Sequence, residues 1–498
     1  MAAELTLASP FSSRMVLQRG RRNLLWGWDR PAQRVEVHVE GGREPVTVRD
    51  FADASDGAFC LELPALPAGG PYRLVVRGSS ERVLEDVLVG DVWLASGQSN
   101  MEWPVRQAAH AEEEIPAARL PSIRYLYVAR VAARTAARTV PATWHVVSSD
   151  TVGDMSAVAF YFAREVHARS GVPIGIVDAS WGGTPIEAWT SVEALRPMVP
   201  ELDAQLAAQR LPSAEIERIR ADYLERLARW EASHLPADPG NVGEKLGWAQ
   251  PTCDVSSWRE LRLPAVWQRH GMRFNGVVWF RHTLQLPAAW AGHDLVLSLG
   301  AIDDFDHTYF NGELVGSHPK GTPEACRIQR VYRVPARLVR PGANVVAVRV
   351  FDHVGEGGFL GPSTAMSVET SAPGGGSASM AGVWQCRVEH PIALVPTSVF
   401  ATYPLPPAAL ATQHAPAALY HGMLAPLAPF GLRGFIWYQG ESNVDAHATY
   451  RRRLVALVRD LRTRFGQGQL PFYFVQLAAH AAGIEWAYLR EAQSEALS

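Results

Sequence analysis

The first 87 residues contain short segments in which apolar side chains recur at about every second position, separated by Gly, Pro and Asp. Examples are Arg34–Val39 and Tyr72–Val76. Segments of this length and period, bounded by turn residues, are typical of β-strands. We therefore expect residues 1–87 to form a small β-sandwich.

After residue 88 the pattern changes to apolar strands that alternate with amphipathic helices. Apolar runs predict strands at Asp91–Ser96, Pro173–Ser180, Gly434–Gln439 and Pro471–Leu477, and helical spacing predicts helices over 155–169 and 446–465. Strands that alternate with helices form parallel sheets covered on both faces. The fold class we predict is α/β, with a doubly wound parallel sheet.

A second all-strand region interrupts this α/β pattern, with apolar runs at Gly276–Arg281, Leu295–Leu299 and Asn344–Val350. We interpret it as a β-sandwich inserted into the sheet. The predicted organisation has four segments: an N-terminal β-sandwich at 1–87, the first part of the α/β domain at 88–245, the inserted β-sandwich at 246–392, and the second part of the α/β domain at 393–498.

Charge and composition narrow the range of functions. The formal net charge is -3, and no run of basic residues interleaved with aromatic residues occurs, which argues against nucleic acid as a partner. No window of about 18 apolar residues occurs, so no membrane span is predicted. The start of the chain lacks a charged segment followed by an apolar one, so the sequence as written indicates a cytoplasmic protein.

The four cysteines are widely separated, at Cys60, Cys253, Cys326 and Cys386. They form no Cys-x-x-Cys pair, so the sequence contains no recognised metal or redox motif. We expect buried free thiols, or one disulfide among the last three cysteines if the protein is exported.

Three predicted strands end in polar loops that contain glycine: Gly97–Asn100, Trp181–Thr184 and Gln439–Asn443. In an open parallel sheet the site lies at the carboxyl ends of the strands, so we expect the three loops to converge on one crevice. A glycine two residues before Ser99 allows a sharp turn that presents the hydroxyl, and we interpret Ser99 as a nucleophile. Taken alone, the first loop would more commonly be a plain surface turn.

These loops, together with Val16–Gln18, Leu419–Met423 and Leu489–Gln493, resemble the sialate O-acetylesterases, a branch of the SGNH hydrolases. The resemblance extends over essentially the whole chain. It implies an SGNH-type sheet and the hydrolysis of O-acetyl esters on carbohydrates such as sialic acid or plant-polysaccharide residues. It implies neither a metal nor another cofactor and fixes no oligomeric state, and relatives of this kind are often secreted.

The resemblance also implies roles for individual residues. Ser99 would attack the ester carbonyl, and its backbone N–H would form part of an oxyanion hole. Gly182 or Gly183 would supply a second backbone donor, because a residue without Cβ lets a substrate oxygen approach closely. Asn443 would supply the third donor from its side-chain amide.

Gln439 and Glu441 lie in the same loop as Asn443 and could bind and orient the sugar. An alternative of nearly equal weight is that their side chains stabilise the loop through hydrogen bonds to the backbone. The inserted β-sandwich resembles the galactose-binding-like jelly roll of family 2 glycoside hydrolases at Gly300–His307 and Tyr309–Gly312. Its aromatic residues could bind glycans, although packing is the interpretation we prefer.

The histidine that serves as base in this family lies in an Asp-x-x-His block that we do not find after Leu489–Gln493. Asp304–His307 has the right spacing but falls in the insert, so we interpret it as structural. We interpret His480 as a solvated loop residue, and His421 stands where the family usually has asparagine. We expect the chain to be a fragment of a longer enzyme, or else a protein that has lost its base. Without the histidine, we expect its esterase activity to be several orders of magnitude below that of a full-length relative.

Two other functions remain open at this stage. The chain could be a non-catalytic carbohydrate-binding protein, in which case glycan binding would occur without turnover that depends on Ser99. It could also be a glycosidase that uses Glu187 and Glu441 as its carboxylate pair. Glycoside cleavage that survives Ser99→Ala would indicate the glycosidase.

Overall fold

The computed structural model describes residues 4–497 except 43–44, 210, 323–324, 362, 405, 408, 411 and 481–482. The chain folds into two compact units. The first unit contains Met1–Glu217 and Pro406–Ser498, and the second contains Arg218–Leu405. The segment predicted to be an inserted β-sandwich, 246–392, lies within the second unit.

The N-terminal part of the first unit is built from strands. They are β1 (Thr6–Leu7), β2 (Val16–Gln18), β3 (Asn23–Trp28), β4 (Arg34–Glu40), β5 (Val46–Phe51), β6 (Ala58–Leu63), β7 (Gly69–Arg77) and β8 (Glu81–Gly97). β1, β3 and β6 form a three-stranded antiparallel sheet, whereas β5, β4, β7 and β8 are neighbours in a larger sheet. Side chains from both sheets share one hydrophobic core, to which strands such as β4 and β6 contribute every second residue.

Strands and helices then alternate along the chain. They are α1 (Ser99–Glu102), α2 (Ala111–Ala117), β9 (Arg119–Val128), β10 (Ala142–Ser148), α3 (Ala157–Ser170), β11 (Ile174–Ser180), α4 (Val192–Leu195), α5 (Leu202–Gln209) and α6 (Ser213–His234). The predicted strand over 173–180 and the predicted helix over 155–169 are confirmed to within two residues at each end.

The second unit is dominated by antiparallel strands. Its elements after α6 are α7 (Val242–Lys245), β12 (Arg259–Leu263), β13 (Asn275–Leu286), β14 (Leu295–Asp303), β15 (Phe305–Phe310), β16 (Glu313–His318), β17 (Gln329–Val334), β18 (Gly342–Asp352), β19 (Gly358–Leu360), β20 (Met366–Thr370), β21 (Ser377–Ser379) and β22 (Gly382–Ile392). A six-stranded sheet, β12-β22-β13-β18-β15-β16, and a five-stranded sheet built around β14 contribute to one hydrophobic core.

The chain returns to the first unit for its last elements, β23 (Gly434–Tyr438), α8 (His447–Phe465), β24 (Phe472–Phe474) and α9 (Ile484–Glu495). The strand predicted over 471–477 is shorter than expected. β24 pairs in parallel with β23, and the paired residues end at Phe474. One further hydrogen bond, from Val475 N to Trp437 O, follows before β23 ends at Tyr438.

The centre of the first unit is a parallel sheet in the order β9-β11-β8-β23-β24, with β10 antiparallel at one edge. Alternate residues of β8 serve opposite faces: Trp93 packs in a core that includes α3, and Leu94 packs in a core that includes α8. The fold is therefore a mixed α/β structure with several sheets, which confirms the α/β class predicted from the sequence.

The strand β8 joins the antiparallel and parallel parts of the large sheet. Its 17 residues pair with β7 near the start and with β11 and β23 from Asp91 onward. The domain boundary predicted between residues 87 and 88 falls inside this strand. A Cβ at Gly90 would overlap Pro173 O, so glycine is the residue that permits close packing where the pairing changes.

The helices α3 and α8, which pack on the parallel sheet, each end at a glycine. Gly171 follows α3 and Gly466 follows α8, and both adopt the left-handed conformation that favours glycine. In the part of the chain that the structure describes, no helix is both long and apolar enough to cross a membrane.

Candidate active site

The three loops singled out in the sequence follow strands that end at the same level of the sheet. Gly97 at the end of β8 lies opposite Ser180 of β11 on one side and Tyr438 of β23 on the other. Backbone hydrogen bonds continue beyond the strands, from Trp181 N to Gly97 O at 3.0 Å and from Gln98 N to Tyr438 O at 2.9 Å. The structure thus brings the three loops together at one edge.

The turn before Ser99 requires glycine. Gly97 has a φ of +138°, which L side chains rarely adopt, and a Cβ at this position would overlap Tyr438 O. The chain leaves the sheet here, between two neighbouring strands. This turn ends the buried strand and allows the next residues to leave the core.

Ser99 is the first residue of the short helix α1, and it is exposed although the residues before it are buried. Among the described residues its Oγ has no hydrogen-bond partner, and its N–H has no acceptor within the helix because it lies in the first turn. The preceding Gln98 is 2% exposed, and its Oε1 accepts from Gly440 N and Ser442 N, each at 3.2 Å. Gln98 thereby fixes the position of Ser99 relative to the third loop.

Gly182 and Gly183 differ in what their amides contact. Gly182 lies against Ser99, since a Cβ built on it would be 3.4 Å from Ser99 Cβ. Its N–H donates to Glu102 Oε2 at 2.5 Å, and the other oxygen of Glu102 binds Arg130. Gly183 is exposed with a φ of +70°, and in the described part of the chain its N–H has no acceptor. Of the two predicted donors, only the Gly183 amide remains open to a substrate.

Asn443 connects the second and third loops. Its side chain is buried, and Oδ1 accepts from Ile186 N at 2.9 Å and from Gln439 Nε2 at 2.7 Å. Its Nδ2 donates one hydrogen to Glu187 Oε2 at 2.9 Å, and the other oxygen of Glu187 is paired with Arg453. One Nδ2 hydrogen of Asn443 remains for a further acceptor. Glu187, a candidate glycosidase carboxylate, is instead fully engaged within the protein.

Gln439 is placed differently from the expectation that it binds the sugar. Its side chain is fully buried, and its Nε2 donates to Thr184 O at 3.2 Å as well as to Asn443. Its Oε1 accepts from Tyr450 Oη at 2.8 Å. Both ends of the amide are used inside the protein, which favours the alternative of loop stabilisation, and the predicted contact of Gln439 with a sugar stays a prediction.

Glu441 has a different environment in the same loop. Its Oε1 accepts from Asn100 Nδ2 at 2.5 Å, which ties the third loop to the first. Its Oε2 is buried and has no hydrogen-bond partner among the described residues. Burial raises the pKa of the Glu441 carboxyl above its ordinary value. A carboxyl oxygen left unpaired in a buried place can receive a hydrogen bond from a ligand hydroxyl.

The Asp304–His307 segment has the structural role that the sequence analysis assigns to it. It lies in the second unit, where β15 includes Asp306 and His307. The Asp306 carboxylate accepts from Arg330 Nε at 2.8 Å and from Tyr332 Oη at 2.9 Å, and both ion-pair partners are fully buried. These contacts hold the Asp306 carboxylate within the second unit.

The two histidines of the first unit singled out in the sequence, His421 and His480, differ in their surroundings. His480 is exposed, and its ring packs against Trp486 with centroids 5.0 Å apart, which agrees with a loop role. His421 is half-buried in the helical turn Tyr420–Leu424, and burial lowers its pKa. In the described structure neither ring forms a hydrogen bond with Ser99.

Several residues of the site are not identified by the sequence analysis. Glu102 has a weak local signal, because it lies three residues after Ser99 in one helical turn and such residues share a face. Arg130 and Arg453 come from other parts of the chain and meet Glu102 and Glu187 only in the folded structure. No spacing in the sequence indicates these two ion pairs.

A buried carboxyl, Asp178, lies on β11 two residues before the strand ends. It is 6% exposed and accepts a hydrogen bond from Ser180 Oγ at 2.7 Å. Burial raises its pKa to about 6. Because the folded-state pKa lies above the unfolded value of about 4, this group favours folding below pH 4, and the advantage is lost as the pH rises through 6.

We therefore expect Asp178→Asn to raise the free energy of unfolding by about 2 kcal/mol at pH 8 and to change it little at pH 4. Urea unfolding at the two pH values measures the difference. The matched control is Asp445→Asn, which removes an exposed carboxyl and should match the parent at both pH values. An equal effect of Asp178→Asn at pH 4 and pH 8 would contradict the assignment.

A family described as "Carbohydrate esterase, sialic acid-specific acetylesterase" matches residues 89–217 and 374–498, just over half of the chain. The chain belongs to this family. All three loops lie inside the matched ranges, as do Ser99 and Asn443. The second-unit strands from β12 to β20 lie outside them.

Individual members of the carbohydrate esterase family resemble parts of the chain. Sialate O-acetylesterase of Pongo abelii is 34% identical over 205 residues, which is 38% of this chain and 39% of that protein. The Mus musculus enzyme is 28% identical over 291 residues, or 55% of this chain and 51% of that protein. The chain therefore spans between two fifths and half of the length of these relatives.

One solved structure shares the fold over nearly the whole chain. A carbohydrate acetylesterase from Xanthomonas citri superimposes with a TM-score of 0.53 at 23% sequence identity. The similarity covers 99% of this chain and 66% of that one. It shows that the mixed α/β fold of this chain is shared with that structure.

Proposed function

We propose that the chain is a serine esterase that removes O-acetyl groups from sialic acid or other acetylated carbohydrates. The observation that carries the proposal is Ser99, an exposed serine whose Oγ has no partner among the described residues, at the point where three strand-end loops meet. Membership of the carbohydrate esterase family supports the acyl chemistry, and the sialate O-acetylesterases among the relatives support the substrate class.

We also propose that the parallel sheet is of the SGNH type and that the inserted β-sandwich is a galactose-binding-like jelly roll. We further propose that the chain divides into the four segments predicted from the sequence. Helices on both faces of a five-stranded parallel order support the first assignment. Two antiparallel sheets around one core support the second.

In the proposed reaction, Ser99 Oγ attacks the acetyl carbonyl carbon and the sugar hydroxyl leaves, which produces an acetyl-enzyme that water hydrolyses to acetate. The carbonyl oxygen becomes negative and needs donors. Ser99 N–H, Gly183 N–H and the second Nδ2 hydrogen of Asn443 have no other acceptor among the described residues. We assign the second donor to Gly183 because Glu102 occupies the Gly182 amide.

Two further steps involve the sugar and the serine proton. Glu441 Oε2 is the group we assign to a sugar hydroxyl, because it is buried and has no hydrogen-bond partner within the described structure. The Ser99 proton requires an acceptor before attack. No described histidine contacts Ser99, so an assay of this chain should include an external base.

The test is release of acetate by the intact chain from O-acetylated sialic acid and from an acetylated plant oligosaccharide, with and without added imidazole. We expect saturable acetate release that imidazole increases beyond its effect on the substrate alone. Chromogenic glycosides run in parallel should remain intact. Saturable sugar binding without acetate release would support a carbohydrate-binding protein instead, and glycoside cleavage would support a glycosidase.

A further inference from the structure

A groove in the first unit lies between α4 and α8, apart from the residues assigned to ester hydrolysis. One wall is α8, and the other is α4 with the turn that follows it, as far as Met198. The groove has a volume of about 640 Å³, which is in the range of pockets that hold small ligands. Ser99, Asn443 and Glu441 are not among the described residues that line it. It is therefore a second place on the first unit where a ligand fits.

The wall formed by α8 is cationic. This helix contains six arginines and one aspartate, although the chain as a whole has a formal net charge of -3. Four of the arginines line the groove together with two carboxylates, those of Glu193 and Asp460, so the lining carries a net positive charge. Arg464 pairs with both carboxylates, and Asp460 also accepts hydrogen bonds from Ser191 N and Oγ, each at 2.8 Å. The acidic groups of the groove are thus engaged within the protein, and cations dominate the surface that a ligand meets.

Two arginines of the groove, Arg452 and Arg459, are exposed. In the part of the chain that the structure describes, their guanidinium groups have neither a hydrogen bond nor an ion pair. They are seven residues apart in α8, so they lie on the same helix face, separated by two turns and about 10.5 Å along the axis. A guanidinium binds a carboxylate through two parallel N–H donors. The two arginines can therefore hold two carboxylates of one ligand.

The surface between these two arginines is apolar. Val455 and Ala456 lie between them on α8, and both are half-buried. The opposite wall contributes Ala194, Pro197 and Met198. Sugar rings present apolar C–H faces, and a chain of acidic sugars such as sialic acid carries one carboxylate on each ring. A ligand of this kind matches an apolar floor that is flanked by cationic groups.

We propose that this groove binds an acidic glycan chain and that Arg452 and Arg459 each bind the carboxylate of one sugar. The choice of a glycan rests on the proposed function, since acetylated carbohydrates are the proposed substrates and sialic acid is an acidic one. The positive lining favours a charged chain over a neutral plant oligosaccharide. The inference thus narrows the substrate class of the proposed esterase to acidic glycans.

The groove begins beside the proposed site of ester hydrolysis. Arg452 precedes Arg453, whose guanidinium pairs with Glu187. Glu187 in turn accepts from Asn443 Nδ2 at 2.9 Å. A glycan bound along α8 is therefore held near the residue proposed to donate to the oxyanion, and the groove adds binding energy that the acetylated sugar alone does not supply.

The experiment is a calorimetric titration of the intact chain with a tetrasaccharide of sialic acid, and with the same tetrasaccharide after its carboxylates are converted to methyl esters. We expect the parent to bind the acidic form more tightly, with an advantage that shrinks as sodium chloride is added. Arg452→Gln and Arg459→Gln should each weaken binding of the acidic form about two- to fivefold, the effect of losing one exposed charge pair, and the double variant about tenfold. Neither single variant should change the binding of the methyl ester.

The matched control is Arg119→Gln, which removes an exposed arginine of β9 that does not line the groove. It should bind both forms like the parent chain. Three results would each overturn the proposal: no preference of the parent for the acidic form, an unchanged affinity in the double variant, or an equal loss in Arg119→Gln.

The titration also separates a glycan site from a general anion site. Binding of a single-stranded oligonucleotide that is as tight as that of the acidic tetrasaccharide, and that the double variant loses, would overturn the assignment to glycans. Because binding is measured directly, a chain that releases no acetate would contradict the proposed function and leave the result for the groove unaffected. If the double variant does not fold, the two single variants decide the question.

Discussion

Ser99→Ala is expected to abolish the acetate release that imidazole adds to the parent chain, because no described histidine contacts Ser99 and losing the nucleophile costs far less where the base is already missing than the roughly 10⁶-fold loss in a complete serine hydrolase. The KM should change little, because the groups proposed to bind the substrate remain in place. The side chain is exposed and its Oγ has no described partner, so the free energy of unfolding should stay within about 0.5 kcal/mol of the parent value.

The matched control for this variant is Ser442→Ala, which removes another exposed serine hydroxyl from the neighbouring loop. The Ser442 contact that matters is its backbone N–H to Gln98 Oε1, which alanine preserves. We expect its acetate release to match that of the parent. If Ser99→Ala retains parental turnover, with or without imidazole, Ser99 is not the nucleophile. Equal loss in both variants would point to loop disturbance.

Asn443→Ala should lower kcat by about 10²- to 10³-fold, the usual cost of removing one oxyanion donor. It should also lower the free energy of unfolding by about 1–3 kcal/mol, because Ile186 N and Glu187 Oε2 lose their Asn443 partners. Steady-state kinetics on acetylated sialic acid and urea unfolding of the same preparation measure the two effects.

Tyr450→Phe separates these two effects. It removes a buried hydrogen bond to Gln439 in the same loop, but Tyr450 is not one of the proposed donors to the substrate. We expect it to lower the free energy of unfolding by about 1 kcal/mol while kcat stays within about threefold of the parent. If both variants lower kcat in proportion to their loss of stability, Asn443 acts only in holding the loop.

The sequence alone predicts the elements whose pattern is local. In α8, Tyr450, Leu454, Leu457, Leu461 and Phe465 recur every three or four residues, and all are buried in the folded protein. Gly466 then ends the helix in the left-handed conformation. Such elements are readable because burial of one helix face imposes a period that tertiary packing does not alter.

The meeting of the three loops is also predictable from the sequence. Each loop follows an apolar strand, and the carboxyl ends of parallel strands meet at one edge whatever the detailed packing. The shorter β24 shows the limit of this reasoning. Its apolar run continues to Leu477, but pairing stops where the neighbouring strand ends. The length of a strand depends on the neighbouring strand with which it pairs, and the sequence of one strand alone does not show where that neighbour ends.

The tertiary structure alone decides how each polar side chain is used. Gln439 and Glu441 are two residues apart in one loop, yet the first is saturated by Tyr450, Asn443 and Thr184, whereas the second keeps an unpaired oxygen. These partners lie anywhere from four to 255 residues away along the chain.

The same holds for the oxyanion donors. Gly182 and Gly183 are equivalent in the sequence, and they differ because Glu102, 80 residues earlier, occupies one amide. Hydrophobic periodicity, a local property, fixed the elements and the edge where the site lies. Hydrogen bonds and charges act over a few ångströms in space and not along the chain, so their partners were decided only by the folded structure.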